Sequence, residues 1–86
     1  MHPIKVIDVI PLKNMELLVS FEDGKTKKFD VKTLLPTNPE FEKLKDPALF
    51  RLVTVEPGGY GIIWNGELVC SEGELYANGV ESEPKI

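Results

Sequence analysis

Apolar and polar positions alternate with a period of two through three early stretches, the signature of strands whose successive side chains face opposite ways. In residues 4–10, Ile4, Val6 and Asp8 fall on one side and Lys5, Ile7 and Val9 on the other. Both sides carry β-branched residues, and Pro11 closes the run as at a sheet edge. After a turn at Lys13-Asn14, Met15 to Phe21 aligns Leu17, Val19 and Phe21 against Glu16, Leu18 and Ser20. Asp23-Gly24 is a hairpin signal, because glycine accepts the positive φ that tight turns require. Lys25 to Val31 returns as a third strand, with Lys27, Phe29 and Val31 alternating with Thr26, Lys28 and Asp30.

The period then breaks. Asp30 precedes Val31-Lys32-Thr33-Leu34-Leu35 as a cap for a short helical turn. Pro36 and Pro39 interrupt the chain, and Phe41 and Leu44 lie three apart on one side of a turn at Glu40–Lys45. Asp46-Pro47 reads as N-cap and first helical residue, ahead of Ala48-Leu49-Phe50. A strand is expected at Arg51–Val55, a turn at Pro57-Gly58-Gly59 and another strand at Tyr60–Trp64. Asn65-Gly66 is a second hairpin signal, leading to a short strand at Glu67–Cys70. Ser71, with Glu74 three residues on, opens a last short helix that holds Leu75 and Tyr76 and stops at Gly79. The pattern predicts one α+β domain over residues 4–79, with a frayed tail over residues 80–86. Its antiparallel β-meander of hairpins has about five to six strands, with two or three short helices packed on the sheet.

Composition narrows the classes. A chain of 86 residues makes one domain, and so short a domain buries only about 60% of its unfolded surface, which favours self-association as a homodimer. A hydrophobic fraction of 42% suits a globular chain, and no run of about 18 apolar residues offers a membrane span. The start, Met1-His2-Pro3-Ile4, lacks the pattern of a signal peptide, and a cytoplasmic location is expected. The net charge of −4 and a pI near 4.9 disfavour non-specific binding to nucleic acid. Lys25, Lys27, Lys28 and Lys32 are close in sequence, but strand alternation divides them between faces unless the fold reunites them.

The ordered punctuation resembles a bacterial family, the domain of unknown function 2442. The resemblance rests on Phe21-Glu22-Asp23-Gly24, then Asp30 with Leu34 and Leu35, then Phe41, Leu44, Asp46-Pro47 and Phe50. It closes on Trp64-Asn65, Leu75 and Tyr76, so it covers residues 4–79. It implies a compact α+β fold and no established activity. Some members of the family look like partners of small neighbouring proteins in toxin–antitoxin-type gene pairs, and the family usually has an acidic residue where this chain has Val69.

Candidate chemistry is sparse. Cys70 lacks a histidine partner other than His2 at the terminus, and is expected to be a buried small apolar residue. One His and one Cys are too few for a structural zinc site, so no metal and no cofactor is expected. Glu22-Asp23 suits a turn, Asp30, Asp46 and Ser71 suit caps, and Glu72 and Glu74 suit the first turn of a helix. The Gly58-Gly59-Tyr60-Gly61 stretch precedes a strand, whereas a phosphate loop opens a helix. Trp64 has two readings: core packing with its indole N–H given to backbone, or the anchor of an interaction patch with Tyr60, Asn65, Leu68 and Tyr76. These features point to a non-enzymatic protein-binding or regulatory module, acting on a protein partner or on itself. The alternative is a DNA-binding transcriptional regulator or its dimerisation domain.

Overall fold

The computed structural model describes residues 4–82. Seven strands form two antiparallel sheets, and short helical segments close around them. β1 (Val6–Pro11), β2 (Glu16–Phe21) and β3 (Thr26–Asp30) form a meander. β7 (Val80–Glu81) completes this sheet beside β3, giving the order β1-β2-β3-β7. The second sheet is a smaller meander of β4 (Val53–Val55), β5 (Gly61–Trp64) and β6 (Leu68–Ser71). α1 spans Pro47–Phe50 and α2 spans Glu72–Asn78. The α+β class with short helices on antiparallel sheets is therefore as the sequence indicates, with one strand more than expected.

The capping residues act as their types dictate. Asp30 Oδ1 accepts from the Lys32 N–H at 3.0 Å, Asp46 Oδ1 from the Ala48 N–H at 3.0 Å, and Ser71 Oγ from the Glu74 N–H at 3.3 Å. The reciprocal half of the capping box is absent, and the Glu74 carboxylate accepts from Asn78 Nδ2 instead. Val31–Leu34 and Pro39–Lys45 are 3-10 helices. In that geometry residues three apart eclipse, so Val31 with Leu34 and Phe41 with Leu44 each make one inward row.

β2 follows its alternation: Leu17, Val19 and Phe21 are buried. β1 does not. A register shift lies between Val6, which pairs with Phe21, and Asp8, which pairs with Ser20. The bulge adds one residue and reverses the parity, so Val6 and Val9 turn toward the core while Ile7 and Asp8 face out. The expected grouping of Ile4, Val6 and Asp8 on one side is corrected accordingly. The boundary set at Val80 also moves. Val80 and Glu81 pair with Lys28 and Lys27, and the Ser82 N–H donates to Thr26 O at 2.8 Å, because β3 otherwise has an unpaired edge. Residues 83–86 of the expected tail lie outside the described residues. Arg51 and Leu52, expected to open β4, instead close α1, with the Arg51 N–H donating to Pro47 O at 3.1 Å.

One core joins both sheets and the helical segments. It centres on Trp64, Phe21, Phe29, Leu17, Leu44, Ile62 and Leu75, each nearly free of solvent contact. Among the described residues no helix is long and apolar enough to cross a membrane.

Candidate protein-interaction groove

Of the residues proposed as one patch, Trp64, Asn65 and Leu68 lie together at the β5–β6 turn, while Tyr60 and Tyr76 lie elsewhere. Trp64 is only 1% exposed and packs against Phe41 and Phe50, with ring centroids 6.0 and 6.1 Å away. Its Nε1–H donates to the Phe50 carbonyl at 3.1 Å. Phe50 is the last residue of α1, so that carbonyl has no helical partner and the indole supplies one. Core packing with a satisfied N–H is the correct reading of Trp64. Asn65 lies beyond it at the β5–β6 turn, where Asn65 and Gly66 both have positive φ, and half-buried Leu68 pairs with Trp64 across the strands. Tyr60 is exposed at the other end of β5, with Lys5 Nζ 5.7 Å from its ring centre.

Tyr76 belongs to a different contact. Its ring meets Phe21 edge-on at 5.0 Å, and its hydroxyl donates to Asp23 Oδ2 at 2.8 Å. The Lys25 N–H donates to Asp23 Oδ1 and, with the Tyr76 hydroxyl, holds the Asp23 carboxyl below its ordinary range. The same bond to Asp23 raises the Tyr76 hydroxyl above its ordinary value. Lys27, buried on the inward side of β3, places Nζ 3.8 Å from the Tyr76 ring centre and donates to the Tyr76 carbonyl at 2.6 Å. This cluster seats α2 on the β2–β3 hairpin.

The four clustered lysines therefore make no common basic face. Lys27 is internal, Lys28 points outward, Lys25 pairs with Glu81 at 3.7 Å, and Lys32 pairs with Asp30 at 3.1 Å. Cys70 is buried, and desolvation first, then the charge of Glu74, pushes its thiol up to about 12. At neutral pH it is a protonated, packed side chain without nucleophilic character. His2 lies outside the described residues. Among the described residues no three His, Cys, Asp or Glu side chains converge on a metal position.

A surface site emerges elsewhere. The β1–β2 connection and α1 face one another across an open groove of about 720 Å³. Leu12 and Met15 line it from the β1–β2 connection, and Leu44, Pro47 and Phe50 line it from the helical segments. Asn14 and Met15 both have φ of 59°, so the connection turns tightly through two left-handed residues, neither of them glycine. The Leu12 N–H donates to Glu16 O at 2.7 Å and locks the turn's base. Three cationic side chains, Lys13, Lys45 and Arg51, stand on this lining, and no carboxylate does. Lys45 also reaches Glu42 at 3.2 Å, whereas among the described residues neither Lys13 nor Arg51 makes an ion pair.

Sequence reasoning marks Lys13-Asn14 only as a turn and Arg51 only as the start of a strand. The two halves of the groove lie some thirty positions apart and meet only through tertiary packing. The consecutive polar turn residues before Met15 were the one local signal.

The sequence model of a family described as "Protein of unknown function (DUF2442)" matches residues 6–81. No curated protein and no solved structure matches the chain.

Proposed function

The chain belongs to the DUF2442 family of proteins of unknown function, and from that premise we propose that it is a non-enzymatic protein-binding module. One observation carries the reading. An apolar, solvent-open groove is rimmed by cations and is fixed in shape by a turn and a helix end. Grooves of this kind recognise a segment of another chain: the apolar floor gives affinity and the charged rim gives register. The remaining polar side chains fit the same reading. Asp30, Asp46 and Ser71 are spent on caps, Asp23 and Tyr76 on seating α2, and Cys70 is packed as an apolar residue.

The partner arrangement implied by the family resemblance, a small protein from a neighbouring gene in a toxin–antitoxin-type pair, fits a module of this size. The DNA-binding alternative draws less support, since the β3 lysines are divided between an internal site, surface ion pairs and the outer face.

The test is co-purification with the product of an adjacent gene, together with the mass of the complex in solution. Wild-type protein is expected to retain the partner. Leu12→Asp, which puts a carboxylate on the apolar wall, is expected to weaken retention at least tenfold while far-UV circular dichroism stays native. A monomer that retains no adjacent gene product, or a partner held equally by Leu12→Asp, refutes the reading.

A further inference from the structure

We infer that the occupant of the groove is an acidic segment of a partner protein, one in which Asp or Glu side chains flank Leu, Ile or Phe. The inference rests on the protein-binding reading and deepens it by naming the chemistry of the partner.

The argument is one of charge placement. The chain carries 14 acidic and 10 basic residues, yet the groove lining has three cations and no carboxylate. Another groove shows the contrast: Glu16, Asp30 and Glu81 line it with Lys28 as the single cation. The positive lining is thus a local reversal of the protein's own character. Lys13 and Arg51 are exposed and uncommitted among the described residues, so an incoming carboxylate need not displace an internal partner. Arg51 follows the end of α1 and lines the groove, and its planar fork suits bidentate pairing with a carboxylate.

Beneath the rim the floor is hydrocarbon. Leu12 and Met15 are half-buried, and Leu44 and Phe50 are buried. An ion or a sugar phosphate would satisfy the cations and leave this floor wet. A segment carrying both carboxylates and apolar side chains covers both. Met adapts to varied apolar shapes, which suits Met15 to a peptide rather than to one rigid ligand.

Range separates a protein segment from nucleic acid. The net charge of −4 disfavours a long polyanion, whose charge extends well beyond the groove, while a few carboxylates on an otherwise uncharged partner feel chiefly the nearby cations. Screening confines the attraction to about 8–10 Å at ordinary salt, the scale of the groove itself.

The test uses the full chain and short fluorescein-labelled peptides that alternate Asp or Glu with Leu and Phe. A control peptide has Asn and Gln in place of the acids. The acidic peptide is expected to bind at least tenfold more tightly than its amide counterpart and to shift the amide resonances of residues 12–15 and 48–51. Lys13→Glu/Arg51→Glu, two changes at exposed positions, is expected to weaken the acidic peptide about tenfold and to leave the amide peptide unchanged. Equal affinity for the two peptides, or unchanged affinity in the double variant, overturns the acidic assignment. Displacement of the peptide by single-stranded oligothymidylate at equal concentration overturns it in favour of a phosphate-bearing ligand. If an adjacent gene product is retained by wild type and lost by Leu12→Asp but not by Lys13→Glu/Arg51→Glu, the acidic assignment falls and the protein-binding reading stands. If neither partner nor peptide binds, both fall.

Discussion

Trp64→Phe separates a structural indole from an interface anchor, and its size can be worked from the geometry. The substitution keeps an aromatic ring against Phe41 and Phe50 but removes the N–H that meets the Phe50 carbonyl at 3.1 Å. That carbonyl ends α1 and lies in the interior, so it loses its partner without gaining water. An orphaned buried acceptor costs about 1–3 kcal/mol. The missing part of the indole leaves a small void, worth about 1 kcal/mol beside the ~3–5 of a full truncation to alanine. The sum is about 3 kcal/mol. Against a total stability of roughly 4–13 kcal/mol for a domain this long, the loss is large. At ~4–8 °C per kcal/mol it lowers Tm by about 12–24 °C. Because Trp64 is the single tryptophan, the comparison requires urea and thermal unfolding followed by far-UV circular dichroism. In wild type, the Trp64 emission is expected to be blue-shifted and poorly quenched by iodide. A stability change within ~0.5 kcal/mol, the range of an ordinary surface substitution, together with an iodide-accessible tryptophan, refutes the assignment.

Further outcomes follow from the same contacts. Cys70 is expected to resist thiol reagents until the protein unfolds. Its folded thiol titrates near 12 against an ordinary 9.0, so the protonated form is the folded form. The associated stability is complete below pH 9.0 and declines as pH rises toward 12, which reagent rates and urea midpoints across that range would show. Tyr76 is raised by its bond to Asp23, so its contribution is present below its ordinary 10.0 and lost as pH climbs past the raised folded value; Tyr76→Phe should flatten the alkaline limb of Tm against pH. Asp23 is lowered, chiefly by the Lys25 N–H, so its contribution holds above the ordinary 3.8 and fades as pH falls below it; Asp23→Asn should remove that acid dependence. Gly61→Ala would drive its Cβ into the backbone carbonyl of Cys70, and a loss of at least about 1–3 kcal/mol is expected in urea unfolding. Asp46→Ala removes the cap of α1 and should cost ~1 kcal/mol by the same measurement, with unchanged secondary structure.

Local chemistry was legible in the sequence. The caps at Asp30, Asp46 and Ser71 and the turns at Gly24 and Asn65-Gly66 depend on residues within a few positions of one another, and each forms as its residue types require. The faces of β2 follow strict alternation and were equally readable. β1 was misread because a single added residue inverts every later side chain, and nothing in Val6-Ile7-Asp8 itself announces it. β7 was missed because two residues carry no period; the open edge of β3, with its unpaired backbone groups, recruits them. Trp64 was ambiguous because an indole beside a turn suits either a core or a surface. The deciding partner, the end of α1, lies fourteen residues away. The groove was invisible for the same reason on a larger scale.

Lys27 has a consequence for how the chain reaches its native state. β2 and β3 precede α2 along the chain, and without α2 the inward side of β3 would show Phe29 next to an ammonium rather than an unbroken apolar strip. A solvated cation beside the aromatic ring discourages strand-to-strand association between unfinished copies. Once α2 arrives, the Tyr76 carbonyl and ring take over from water as that cation's ligands. One side chain thus guards the hairpin while it waits and fastens the helix when it comes.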